Sequence, residues 1–159
     1  MGLAPEGKAM RGSMMLFRHG ISTLTIVVAS CCALPSLYAA ELNLRIEGLA
    51  EQGSIHVYVF TAADGFPKEE QAVIHQVHAR PAPAENALAL RLTVPDAAEY
   101  AVLSFQDKDG DGKMNRLFGM IPQEPYGLSR NPQLFGKPKF SDAAVSAADG
   151  ELIVLKLHD

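Results

Sequence analysis

The chain has 159 residues, with 14 Lys/Arg against 18 Asp/Glu and a formal net charge of −4. That balance lacks the basic footprint of a nucleic-acid binder, so nucleic acid is excluded as an expected partner. Its two cysteines are the neighbours Cys31 and Cys32, so no disulfide is expected to staple the chain beyond them.

Arg11 and Arg18 precede the apolar run ISTLTIVVASCCALPSLYAA, which closes on Pro35, small residues and Ala39-Ala40. Charged, then apolar, then small is the order of a secretory signal peptide, and residues 1–40 are read as one. The residues before Met14 resemble an upstream start. Ile21 to Ala40 is also about the 20 residues that a membrane span needs, but Pro35 and the alanines favour cleavage. Cutting after Ala39 or Ala40 yields an ordinary export product. The alternative is VASC, Val28 to Cys31, which resembles a lipobox and would leave a lipid anchor on Cys31. The expected location is therefore periplasmic or secreted, or lipid-anchored in the envelope, with no membrane span in the mature form.

Residues 41–159, about 120 in number, are enough for a single domain that buries about two-thirds of its unfolded surface. Setting aside Lys8, Arg11, Arg18 and Glu6 leaves eleven basic and seventeen acidic residues, a mature charge of −6. The period is mostly two. LNLRIEGL alternates Leu42, Leu44 and Ile46 with Asn43, Arg45 and Glu47, giving one apolar and one wet face. SIHVYVF follows the turn AEQG, with Ile55, Val57 and Val59 on one side and His56, Tyr58 and Phe60 on the other. These two segments are expected to form a hairpin. VIHQVHAR is a weaker strand. ALALRLTV is a strong one, with Leu88, Leu90, Leu92 and Val94 inward, and EYAVLSFQD is the next. The chain closes with AAVSAADGELIVLKL, a second expected hairpin across Asp149-Gly150.

The stretches 63–72 and 116–140 are rich in Gly and Pro and show no clean period. Pro122, Pro125, Pro132 and Pro138 exclude a long helix in the second of them. About seven short strands at intervals of about 8–12 residues predict an all-β antiparallel sandwich of immunoglobulin/transthyretin-like type. Tyr100 follows the turn PDAAE and could hold its hydroxyl on nearby backbone, as tyrosine corners do; half-burial in a strand is the plainer alternative.

The densest chemistry is DKDGDGKMN, residues 107–115. Calcium takes six to eight oxygens, and the helix–loop–helix site draws them from alternating loop positions. In that alignment Asp107, Asp109 and Asp111 fill the first three ligand positions. Gly112 makes the sharp turn, the Lys113 carbonyl is the next ligand, and Asn115 follows. The bidentate Glu that should close the loop is replaced by Phe118. A strand-like AVLSF precedes the loop, and Gly119 and Pro122 break any helix after it, so an EF-hand is excluded. Glu124, Asp142 or water would supply the missing ligand. Affinity for calcium would then be low, of the order of 10⁻⁴ to 10⁻³ M. A solvated Asp-Gly turn, partly neutralised by Lys108 and Lys113, is the competing explanation.

The stretch EYAVLSFQDKDGDGKMNRLFGMIPQEPYGLS, followed by FGKPKFSDAAV, resembles the bacterial domain-of-unknown-function family numbered 2141. That family has a YAV…DxNxNG segment, then GxPxEGYGxS, then PxFxDA. The resemblance covers essentially the whole mature chain and is densest over 99–145. It implies a secreted β-sandwich of transthyretin-like type with no established biochemical activity. The family pattern falls on Asp107, Asp109, Asp111, Gly112, Gly119, Pro122, Glu124, Tyr126, Gly127, Ser129, Phe140 and Asp142. Asp109 and Asp111 stand where Asn is common and Asn115 where Asp is common, all oxygen ligands. Pro125 stands where Gly is usual.

Other constellations are mostly negative. His75 and His78 lie three apart, which on a strand sets them on opposite faces, so they are not expected to share a metal. His56 and His158 have no partner close in sequence. No nucleophile elbow, phosphate loop or zinc-spaced set occurs. Glu69-Glu70 reads as solvated loop charge. Tyr126, Phe135 and Phe140 could line a groove, but capping the core is the simpler role. The expectation is an exported, non-enzymatic sandwich that binds calcium weakly through its Asp-rich loop and presents nearby loops to an envelope protein or glycan. A carboxylate-centred enzyme using Asp107, Glu124 and Asp142, or a structural domain without ligand, is the alternative.

Overall fold

The computed structural model describes residues 39–119, 121–134, 136–147 and 150–158. Residues 1–38 of the expected signal segment, with Cys31, lie outside the described residues; its last two, Ala39 and Ala40, after which cleavage is expected, open the first strand. Among the described residues nine strands follow in chain order: β1 (Ala39–Glu47), β2 (Ser54–Phe60), β3 (Ile74–His78), β4 (Ala87–Pro95), β5 (Ala101–Asp107), β6 (Arg116–Leu117), β7 (Ile121–Pro122), β8 (Tyr126–Leu128) and β9 (Leu152–Lys156). A 3-10 turn, Glu69–Gln71, and the four-residue helix α1 (Phe140–Ala143) interrupt the loops. No helix among the described residues is long and apolar enough to cross a membrane.

Seven strands form a β-sandwich. Sheet one runs β4-β1-β9 and sheet two β3-β2-β5-β8, while β6 and β7 pair separately as a short ribbon. The alternation of β1 and β4 reads out as expected. Leu42, Leu44 and Ile46 are buried opposite Leu92, Leu90 and Leu88, and Arg45 and Ala89 are exposed. Across the sandwich they meet Ile55, Val57 and Val59 of β2 and Val102 of β5. Tyr100 sits at the end of this core, fully buried. Its hydroxyl donates to the Pro95 carbonyl (2.9 Å) and accepts from the Ala97 N–H (2.8 Å), the closed circuit of a tyrosine corner.

Two expected pairings do not form. β1 and β2 are not a hairpin: β1 pairs with β4 and β9, and β2 pairs with β3 and β5. The loop between them crosses from one sheet to the other with Leu49 buried in the core. Gly48 has φ +77° and a Cβ there would lie 2.7 Å from the Leu157 carbonyl oxygen, so only glycine passes this close to β9. The buried Gln106 side chain then holds the crossing loop, accepting from the Ala50 N–H and donating to the Gln52 carbonyl. Among the described residues the closing hairpin is absent as well, and Asp149 of its expected turn lies outside them. Val145 bridges to Tyr100 instead, and β9 runs parallel to β1, with Ile46 opposite Leu155. Sheet one is therefore mixed rather than purely antiparallel.

The central strands of sheet two, β2 and β5, are buried on both faces. The sheet's inner face is aliphatic, and its outer face carries Tyr58, Phe60, Leu103 and Phe105 under a second apolar cluster. The aperiodic stretches supply that cover: Phe66 from the first, and Leu134 and Phe140 from the second, with Met114 between them. This second layer determines where the acidic loop sits.

Candidate metal centre

Asp107 is the last residue of β5, so the acidic loop begins where the sheet ends. The strand buries its side chain to 3% exposure. The loop then turns back over it, with Gly110 and Gly112 both at φ +77° and both donating N–H groups to Asp107, at 2.7 Å to Oδ1 and 2.9 Å to Oδ2. Asp109 Oδ1 accepts from the Asp111 N–H (3.1 Å), and its Oδ2 accepts from the Asn115 side-chain amide (2.6 Å).

Glu124 returns to the same place through two backbone contacts. Gln123 N–H donates to the Asn115 carbonyl, closing the base of the β6–β7 ribbon, and Gln106 N–H donates to the Pro125 carbonyl beside the end of β5. Glu124, 5% exposed, thus lies beneath the loop. It accepts from the Lys108 N–H (2.8 Å) and the Asn115 N–H (3.2 Å), one to each carboxylate oxygen.

Asp107, Asp109 and Glu124 each offer an oxygen within 4.8 Å of the other two. Two oxygens on opposite sides of one calcium ion are about 4.8 Å apart at ordinary bond lengths, so three oxygens this close can share one ion. Each carboxylate oxygen has two lone-pair directions, so the backbone bonds leave capacity for a cation.

The other expected ligands stand differently. The Asp111 carboxylate turns to the Lys113 N–H (2.8 Å) and is exposed. Asn115 contributes an amide bond to Asp109 and its own N–H to Glu124, at the rim of the group. The Lys113 backbone serves the loop through its N–H, and its carbonyl accepts no backbone N–H among the described residues. Asp142 is not brought in: its carboxylate caps α1 by accepting the Lys139 N–H at 2.8 Å. Of the two candidates for the missing ligand, the fold delivers Glu124.

Burial of Asp107 pushes its pKa up, but the Gly112 and Gly110 N–H bonds and the adjacent His56 outweigh it and hold the carboxyl below its ordinary 3.8. It is ionised at neutral pH. His56, on β2, is the functional neighbour that sequence reasoning missed. Its Nε2 lies 3.6 Å from Asp107 Oδ2, with both side chains buried. Burial first, and His75 second, push the His56 pKa below 6.5, against the pull of Asp107 and Glu69. The parity of β2 puts His56 on the outer face, but only the β2–β5 pairing brings it beside Asp107.

The remaining aromatics and charges have structural partners. Tyr126 and Phe140 are half-buried against the outer cluster; Phe135 lies outside the described residues. Glu69 ion-pairs with Arg116 at 2.5 Å, tying the 3-10 turn to the β6–β7 ribbon. His75 and His78 point to opposite faces of β3: His75 stacks on Tyr58, and His78 contacts Gln76.

A family described as "Uncharacterized protein conserved in bacteria (DUF2141)" matches this chain over residues 44–154, which contains the whole candidate centre. No match was found among curated proteins or among solved structures.

Proposed function

The chain belongs to that bacterial family, DUF2141, and on that premise we propose that it is an exported, non-enzymatic β-sandwich whose loop end binds calcium weakly. Asp107, Asp109 and Glu124 are the core ligands, with water completing the shell. The adjoining loops are presented to an envelope protein or glycan.

One observation carries this reading. Two buried carboxylates and a third exposed one converge within 4.8 Å, and no Lys or Arg among the described residues ion-pairs with any of them. A turn needs one Asp-Gly on the surface; it does not need Asp107 and Glu124 taken out of water side by side, where like charges repel. A hard dication relieves that repulsion and suits oxygen ligands. The lowered pKa of Asp107 fits a cation ligand better than a proton donor, which needs a raised one.

Melting the mature domain in millimolar calcium and in chelator tests the reading. A ligand that binds only the folded state stabilises it by RT ln(1 + [L]/Kd), about 1.4 kcal/mol at tenfold excess over Kd. For a domain of this size that is a rise of about 4 °C or more in Tm. Superimposable curves would leave the loop as a self-bonded turn. Intact-mass measurement of the exported product tests the location: a chain beginning near Glu41 is expected, and one beginning at an acylated Cys31 would replace it with an anchored form.

A further inference from the structure

We propose that His56 and His75 form a second, separate metal site, a two-imidazole site for a borderline transition dication such as zinc or copper(II). The two residues are diagonal neighbours on adjacent strands: His75 lies opposite Tyr58, and His56 opposite Val77. Both rings stand on the outer face of sheet two, with His56 Nδ1 and His75 Nε2 only 3.2 Å apart. Two nitrogens bound to one tetrahedral zinc at about 2.0–2.1 Å are about 3.3 Å apart, so the pair already has the separation that a bridging ion requires.

The rings are also held in place. His75 stacks on Tyr58 at 4.2 Å and 6°, and His56 stacks on Phe105 at 4.6 Å and 28°. Binding therefore costs little side-chain ordering.

The far nitrogen of His56 supplies an independent observation. Nε2 faces the Ser54 hydroxyl at 3.3 Å and the Asp107 carboxylate at 3.6 Å. An ionised carboxylate only accepts, so it favours the tautomer with the proton on Nε2 and leaves the Nδ1 lone pair toward His75. A histidine whose second nitrogen is oriented by a carboxylate is the usual arrangement around a bound metal. His75 is exposed on the edge strand β3, so an ion arrives from solvent and water fills the remaining positions. Imidazole nitrogen selects zinc or copper over calcium, so this site and the acidic loop differ in the ion they take.

A plain hydrogen bond between neutral imidazoles would produce the same separation, and metal titration separates the two. The tag-free exported product, which lacks Cys31 and Cys32, is stripped of metal, held in millimolar calcium to occupy the acidic loop, and titrated with zinc by calorimetry; copper(II) is then followed by paramagnetic resonance. One zinc per chain and coupling of copper to two nitrogens are expected. His75→Ala, at an exposed position, should fold normally and weaken zinc by at least about tenfold. His78→Gln, on the opposite face of β3, should leave zinc binding unchanged. Zinc affinity that survives His75→Ala, or that disappears in His78→Gln, would overturn the proposal, as would copper coupled to a single nitrogen.

Discussion

The two faces of sheet two are built from the same two central strands, yet they differ in chemistry. On the inner face Ile55, Val57, Val59 and Val102 interlock with the leucines of sheet one, an aliphatic core with no titratable group from β2. On the outer face Tyr58, Phe60, Phe105 and His56 make an aromatic layer that ends at Asp107 and the acidic loop. The inner face is closed by another sheet, which contributes regular apolar rows. The outer face is closed by loops, which contribute polar backbone and the carboxylates of Asp109 and Glu124. Two of the three candidate ligands, Asp109 and Glu124, come from that irregular cover, because loops can deliver side chains that no strand period would place there.

The sharpest way to break that comparison is to remove a large side chain from each face. Phe105→Ala on the outer face should cost about 3–5 kcal/mol, and Ile55→Ala on the inner face about 2–5 kcal/mol. Urea denaturation measures both. An outer-face cost under about 0.5 kcal/mol would show that the loop cover is a surface and not a second core.

Hydrogen-bonded turns should rank next. Tyr100→Phe should cost about 1–3 kcal/mol, since Pro95 and Ala97 lose a buried partner. Glu124→Ala should fall in the same range of about 1–3 kcal/mol in chelator, because the Lys108 and Asn115 N–H groups lose their acceptor. A neutral Tyr100→Phe would mean that water replaces the hydroxyl at the corner.

pH offers a smaller probe confined to the histidines. Burial lowers the folded-state pKa of both His56 and His78 below 6.5. The unfolded chain therefore binds more protons than the folded one just below pH 6.5, and stability falls as pH falls. The loss begins as pH drops through the unfolded value and is complete below the folded values. Chelator-treated protein, melted from pH 8 downward, should show this decline near pH 6, and His78→Gln should reduce it. Stability that rises on acidification through pH 6 would contradict the burial of these rings.

The smallest effect on stability belongs to Asp109. Asp109→Ala in chelator should stay within about 0.5 kcal/mol of the parent, because the side chain is exposed. It should nevertheless abolish the calcium-dependent rise in Tm. A rise that persists unchanged would remove Asp109 from the ligand set and leave Asp107 and Glu124 as the centre.

Several of these features are legible in the amino-acid sequence itself. The faces of β1 and β4 follow from alternation, because one side of sheet one is wet and the pattern is written in residues such as Arg45 and Arg91. The tyrosine corner is readable as one of two alternatives, since Tyr100 reaches only to Pro95 and Ala97. The ligand spacing of Asp107 and Asp109 is readable for the same reason. Glu124 and Asp142 are equally good candidates in sequence, and the structure separates them by using Asp142 as a helix cap.

What the sequence alone determined is thus local: which residues of a strand share a face, where the acidic loop falls, and that the domain is all-β. The tertiary structure decided the partners. It assigned β2 to the sheet opposite β1, ran β9 parallel to β1, and brought His56 to both Asp107 and His75. The physical reason lies in what each pattern measures. Alternation reports burial of one face, a property of a few consecutive residues. Pairing depends on contacts between distant segments, and a strand buried on both faces, as β2 is, carries no wet side from which to read its neighbours.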